Sequence, residues 1–118
     1  MANKNILKEK SFQFSLAIIQ AYKILVEQKE FVMSKQMLRS GTSVGASICE
    51  SEFAVSKPDF INKFHLSLKE ANETRYWLEL LFHSSYLSKE NFDELNFECE
   101  ELIRLLVSSL KTLKANKQ

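Results

Sequence analysis

The chain has 118 residues, of which 45% are hydrophobic and 26% charged, and its formal net charge is +1. This length suits one domain with a modest core, and the near-neutral charge gives no bulk electrostatic sign of a nucleic-acid binder. No apolar run is long enough for a membrane-spanning helix, and the N-terminus lacks the apolar segment of a secretory signal, so we expect a cytoplasmic protein with no membrane partner. With two glycines and one proline, the composition favours long helices and short connections.

The first periodic segment predicts a helix over residues 11–27. Its apolar side chains form two rows, one of which repeats every seven residues. The rows consist of Phe12, Ile19 and Val26, and of Phe14, Ile18, Ala21 and Leu25. Two rows make a stripe wider than one helix–helix contact needs. Together with nine phenylalanines in so short a chain, this stripe predicts apolar surface left over for a partner, and we expect a homo-oligomer.

A second helix is predicted over residues 34–55, with Ser34 as its N-cap. Apolar residues follow in helical steps, at Met37, Leu38, Val44, Ile48 and Phe53. Both glycines of the chain fall inside this helix, four residues apart, in the stretch Ser40-Gly41-Thr42-Ser43-Val44-Gly45-Ala46-Ser47.

The glycine pair allows three interpretations. A phosphate-binding loop is disfavoured, because a Walker motif needs four residues between its glycines and a lysine after the second, whereas here three intervene and Ala46 follows. A break between two shorter helices has more in its favour, since each glycine costs a helix about 1 kcal/mol, but the apolar phase continues through the stretch. We favour a continuous helix with a thin face that lets a neighbouring helix approach closely. The predicted packing residues are Gly41, Gly45, Ala46 and Ser47.

The clearest helix start in the chain is Ser56-Lys57-Pro58-Asp59. Proline is tolerated in the first helical turn, and an acidic side chain suits the positive end of the helix dipole, so a third helix is predicted over residues 58–84. Ser88 is the cap candidate for a last helix over residues 89–113. Four helices with short connections predict an all-α, antiparallel up-down-up-down four-helix bundle, a single domain over residues 1–118.

The residue types that carry out catalysis in other proteins form no recognisable constellation here. A di-iron bundle needs Glu-x-x-His on two helices and two further glutamates, but Glu79 and His83 are four residues apart and His65 has no glutamate three residues before it. Cys49 and Cys99 lack metal-ligand spacing and fall in apolar-periodic segments, so we expect two small buried side chains and no disulfide. The sequence therefore predicts no enzyme, no metal site and no cofactor.

Two stretches resemble the signature of a known family. The run QMLRSGTSVGA, residues 36–46, is similar to QLLRSGTSIGAN, and KEANET followed by WL, residues 69–78, resembles a second block, KEAxET with WL. The family is that of the four-helix-bundle 23S rRNA intervening-sequence proteins, once called S23 ribosomal proteins, and the resemblance covers residues 8–112. It implies the same bundle and, by likeness to the accessory protein of diversity-generating retroelements, a homopentamer that works with a reverse transcriptase and nucleic acid. Most members have no established activity, and Ser47 stands where the family commonly has asparagine.

Three charged residues of these two blocks form a candidate polar network. Glu70 and Glu73 lie one turn apart on the third helix, where the simplest interpretation is a solvated surface. The sharper hypothesis is that Arg39 crosses from the second helix to one of these carboxylates, because an arginine fork fits a carboxylate with two hydrogen bonds. Such a pair would fix the register of the two helices beside the glycine face.

A set of lysines is expected at one end of the bundle. Antiparallel topology places the start of the first helix, the connection between the second and third, and the end of the last at that end. The set comprises Lys4, Lys8, Lys10, Lys57, Lys63, Lys111, Lys114 and Lys117. A ring of copies would make this set a multivalent surface for phosphates. RNA or DNA binding is therefore the alternative to an oligomeric scaffold that acts through protein contacts.

Overall fold

The computed structural model describes residues 2–116, with side chains from residue 5 onward. The helices are α1 (Ala2–Glu27), α2 (Met33–Ser51), α3 (Lys57–His83) and α4 (Lys89–Ala115). Within the described range, α1 and α3 each pack against α2 and α4, and no strand is present. This arrangement confirms the predicted all-α four-helix bundle with up-down connections. None of the four helices is long and apolar enough to cross a membrane.

Helix α1 begins at Ala2, well before the predicted start at residue 11. Leu7 accounts for the extension, because it lies seven residues before Phe14 in the same apolar row and both side chains are fully buried. The polar and charged residues around Leu7 hide this continuation in the sequence.

Helix α2 ends at Ser51, earlier than the predicted end at residue 55. The next three backbone N–H groups bond to carbonyls three residues back, which tightens the last turn. Phe53 and Val55 are 83% and 91% exposed, so these apolar residues lie in the connection to α3 and outside the core.

The start of α2 is capped by Glu30 and not by Ser34, the residue that the sequence favoured. The Glu30 carboxylate accepts the backbone N–H groups of Val32, Met33 and Ser34 at 3.2, 3.1 and 2.6 Å. In return, the Ser34 hydroxyl donates to the Glu30 carbonyl at 2.7 Å. One buried carboxylate thus satisfies three donors at the positive end of the helix dipole.

Serine side chains cap α3 and α4. The Ser56 hydroxyl accepts the N–H of Asp59 at 3.2 Å, and the Asp59 carboxylate accepts the N–H of Val55 at 3.1 Å, so the two residues cap the start of α3 together. At the start of α4, the Ser88 hydroxyl accepts the N–H of Asn91 at 3.1 Å.

Two residues just beyond helix ends adopt the left-handed backbone conformation. They are Lys29, after α1, with φ 65°, and Ser85, after α3, with φ 72°. At α1 the chain closes through the N–H of Lys29 to the carbonyl of Val26 and the N–H of Glu30 to that of Leu25. Glycine is the usual residue at such positions. In this chain both glycines lie inside α2 instead.

The core contains apolar side chains from all four helices. Its largest fully buried members include Phe14, Ile18, Leu25, Met37, Ile48, Phe64, Leu78, Leu81, Leu102 and Leu106. Between α3 and α4, the rings of Phe82 and Phe92 stack with their centroids 4.5 Å apart.

Candidate functional site

Gly41 and Gly45 lie on the side of α2 that faces α1. A Cβ atom at Gly41 would lie 2.8 Å from Cγ1 of Ile18, and a Cβ at Gly45 would lie 3.3 Å from the carbonyl oxygen of Ser11. A carbon–carbon distance of 2.8 Å is well inside van der Waals contact, so a side chain at Gly41 would require a shift of Ile18 or of α1. The absence of side chains at both positions lets the two helices approach closely.

Ala46 does not share that face and is exposed, which corrects its place in the predicted packing set, whereas Ser47 is buried on another side of α2. Successive residues of an α-helix point about 100° apart, so Ala46 is turned away from Gly45, and its side chain is exposed. Ser47 is buried and lies seven residues after Ser40, on the side of α2 that meets α3.

Buried hydroxyl groups join α2 to α3. The hydroxyl oxygens of Ser40 and Thr74 lie 2.9 Å apart in a hydrogen bond, and the Ser67 hydroxyl donates to the carbonyl of Val44 at 2.8 Å. The Thr74 hydroxyl oxygen also lies 2.7 Å from the carbonyl oxygen of Glu70, so its one proton bonds to Ser40 or to Glu70. Each such bond contributes about 1 kcal/mol net, but an unpaired hydroxyl at this depth would cost more. The contact is therefore specific in register as well as close.

Arg39 crosses from α2 to α3 at the surface above these hydroxyls. Its Nη1 donates to Oε1 of Glu70 at 3.2 Å, and its Nη2 donates to Oε2 of Glu73. Trp77 Nε1 donates to the same oxygen of Glu73 at 3.1 Å. The hydrogen bond from Arg39, followed by that from Trp77, holds the pKa of Glu73 below its ordinary value. The structure thus brings together the three charged residues of the hypothesised network, and Trp77 joins them through Glu73.

This Arg–Glu–Trp cluster is suited to holding two helices in register. The Arg39 side chain is 49% exposed, so the pairs are partly solvated and each contributes a fraction of a kcal/mol. Among residues 2–116, no group of three or more His, Cys, Asp or Glu side chains is placed to hold a metal ion. Glu79 pairs instead with His83 on the next turn, at 3.2 Å, and His65 is exposed. The two stretches that resemble the family signature, residues 36–46 and 69–78, thus contribute to the packing of α2 and α3.

The two cysteines have opposite environments, and both are free. Cys99 is buried, its Sγ lies 3.2 Å from the carbonyl oxygen of Ala71, and burial raises the pKa of its thiol to about 12. Cys49 is exposed, so the expectation of two buried side chains is wrong for this residue. It lies beside Phe12, on the outer side of the α1–α2 pair.

The lysines expected at one end of the bundle are divided among several partners. Lys8 pairs with Glu52 at 3.1 Å, Lys10 with Glu101 at 3.4 Å and Lys63 with Glu50 at 3.6 Å. Lys57 donates to the carbonyl of Asn116, and Lys111 and Lys114 are exposed on α4. Lys117 and the side chain of Lys4 lie outside the described residues. Three of the eight lysines predicted to contact nucleic acid are therefore paired with carboxylates.

Large apolar side chains remain exposed along α1. Ile6, Phe12, Leu16 and Ile24 are 40%, 61%, 43% and 40% exposed. The width of the apolar stripe on this helix was the sequence signal for surface that one bundle does not cover.

Glu30 gave a weaker sequence signal for its role as a cap. Only its place four residues before Ser34, in a short connection, hints that its carboxylate bonds to the start of α2.

Comparisons with known proteins agree with the geometry. The sequence model of the family described as 23S rRNA-intervening sequence protein matches residues 3–108. A crystal structure at 1.70 Å of a protein with unknown function from the S23 ribosomal protein family of Bacteroides thetaiotaomicron VPI-5482 is 54% identical to this chain. The match covers 92% of this chain and 98% of that one, with a TM-score of 0.90. No curated protein matches the chain.

Proposed function

The chain belongs to the family of 23S rRNA-intervening sequence proteins. Since the similar crystal structure is that of a protein with unknown function, we propose a function from the surface features of this chain. The chain is a non-enzymatic helical scaffold that assembles with copies of itself and acts through protein contacts.

The observation that carries this proposal is the exposed apolar surface of α1. Phe12 is 61% exposed, and together with Asn5, Lys8, Glu9 and Cys49 it lines a depression of about 330 Å³ between α1 and α2. Leu16 follows one turn later on the same side of α1 and is 43% exposed. Contiguous apolar surface of this kind favours association with another protein surface.

The test is the mass of the assembled protein in solution. Light scattering after size-exclusion chromatography, checked by native mass spectrometry, should give a stable multiple of the 13.7 kDa chain. The family resemblance implies five copies. A monomer at every concentration measured would overturn the proposal.

Two phenylalanine variants locate the contact. Phe12→Ser should dissociate the assembly, whereas Phe97→Ser should leave its mass unchanged. Phe97 is a matched control, because it is 63% exposed on α4, close to the 61% of Phe12. If Phe97→Ser dissociates the assembly and Phe12→Ser does not, the contact between copies lies on α4 and not on α1.

RNA or DNA binding through the set of lysines expected at one end of the bundle has less support. Three of its lysines are paired with carboxylates, so a phosphate would have to compete with Glu50, Glu52 and Glu101 for them. An anisotropy titration with labelled single-stranded RNA at low salt distinguishes the two functions. Saturable binding that Lys111→Gln/Lys114→Gln abolishes would favour the nucleic-acid role.

A further inference from the structure

A groove made of two adjoining depressions runs between α1 and α4. One part, of about 560 Å³, has Ile6 and Leu102 among its lining residues, and a smaller part, of about 100 Å³, includes Ala17, Ile24 and Leu95. Glu98 lines both parts, which therefore adjoin. From Ile6 to Ile24 the groove follows α1 for about 27 Å, since each helical residue rises about 1.5 Å. Its length matches a helix of about five turns.

The floor of the smaller part is apolar and low, whereas the larger part has Ile6 and Leu102 as its apolar lining residues. Ala17 and Ala21 present only methyl groups in the smaller part, so another helix could approach α1 closely. Ile6 and Ile24, near the two ends, are each 40% exposed. This is the form of surface on which an amphipathic helix lays its apolar side.

The rim of the groove is acidic. Glu94, Glu98 and Glu101 follow one another at helical spacing along α4, and Glu9 of α1 also lines the larger part. Lys10 is the one cation among the described lining residues, and it pairs with Glu101 at 3.4 Å. Burial, and then the charges of Glu94 and Glu101, raise the pKa of Glu98 above its ordinary value, against the opposing effect of Lys10. Added positive charge would relieve this like-charge repulsion.

We propose that the groove between α1 and α4 is a docking site for a basic amphipathic helix of a partner protein, with apolar residues on the side that enters the groove and lysine or arginine at its edges. Charge complementarity selects this occupant, because an acidic or neutral helix would leave the repulsion among Glu94, Glu98 and Glu101 in place. The inference deepens the proposed scaffold function by giving its protein contact a site and a chemistry.

The test uses a defined probe, a fluorescein-labelled 18-residue synthetic helix with leucine and alanine on one side and lysines on both flanks. Anisotropy should show saturable binding that weakens with salt, and a matched peptide with glutamate for every lysine should not bind. Glu94→Gln/Glu98→Gln should weaken binding by about five- to ten-fold. The control Glu50→Gln/Glu79→Gln makes the same change in net charge on α2 and α3 and should change affinity by less than about two-fold.

A photo-crosslinker on the apolar side of the probe should react with residues 6–24 and 91–102. Crosslinks elsewhere, equal weakening by both double variants, or no saturable binding would overturn the docking site. If Glu94→Gln/Glu98→Gln changes the assembled mass and the probe does not bind, the groove is a contact between copies and the proposal also fails. The wild-type mass is measured separately, so a monomer that binds the probe contradicts self-assembly alone, and an oligomer that does not bind it contradicts the groove alone.

Discussion

Replacing Gly41 by alanine would place a methyl group 2.8, 3.0 and 3.1 Å from three side-chain carbons of Ile18. Ile18 is fully buried and branched at Cβ, so its side chain cannot turn aside freely. Overpacking of a core costs about 1–3 kcal/mol, whereas the better helix propensity of alanine returns about 1 kcal/mol. We therefore expect Gly41→Ala to lower the free energy of unfolding by about 0–2 kcal/mol.

A double-mutant cycle separates the two contributions. In an Ile18→Ala background the three clashing carbons are gone, so Gly41→Ala should stabilise the protein by about 1 kcal/mol through propensity alone. The coupling between the two sites should then be about 1–3 kcal/mol. Ala46→Gly calibrates the propensity in the same helix, because Ala46 is exposed.

The free energies come from urea unfolding followed by far-ultraviolet circular dichroism. All variants are compared at one protein concentration, because self-assembly would make stability depend on concentration. If Gly41→Ala stabilises both backgrounds by the amount that Ala46→Gly destabilises, close approach of α1 is not the reason for the glycine.

Four further predictions concern single side chains. Glu30→Gln should cost about 1–3 kcal/mol of stability in urea, since a neutral amide oxygen replaces a carboxylate that accepts three backbone donors, and wild-type stability would contradict the capping role. Ser85→Gly should stabilise by about 1 kcal/mol and raise Tm, because glycine adopts φ 72° without strain, whereas a lowered Tm would contradict this. A disulfide reagent should titrate one thiol, Cys49, in the native protein and Cys99 only after unfolding, and two native thiols would refute the burial of Cys99. Burial raises the pKa of Glu98 above 4.5, so the folded protein binds the carboxyl proton more tightly than the unfolded chain does. The stabilisation from this proton is fully present below pH 4.5 and is lost as pH rises through the folded-state pKa. Glu98→Gln should therefore be more stable than wild type at pH 7 and lose that advantage at pH 4, as urea unfolding at both pH values would show.

Local signals identified much of the helical architecture. Ser56 with Pro58, and Ser88, mark helix starts because a cap and the donors it satisfies lie within a few residues of each other. The start of α2 is an exception, because its cap is Glu30 and not the serine at the first periodic position. Glu30 caps α2 directly after Lys29, whose backbone is in the left-handed region, a conformation that its residue type does not indicate.

The candidate site was accessible from the sequence only in part. The spacing of Glu70 and Glu73 predicts one helical side, and Arg39 contacts both carboxylates from α2. Trp77 lies four residues after Glu73 on the same helix, so helical spacing places the two side chains side by side, but only the structure shows that the indole shares the carboxylate oxygen that Arg39 reaches. The exposure of Cys49 does not follow from its spacing, since an apolar step near the edge of a stripe fits either a core or a surface position.

The sequence by itself determined four helices, most of their ends, and a glycine pair with both members on one side of α2. Only the tertiary structure decided that this side meets α1, that Ala46 points to solvent, and that α1 and α4 leave a groove between them. The physical reason is that a helical period specifies which residues share a side, whereas the neighbour that this side meets depends on the packed volumes of all four helices.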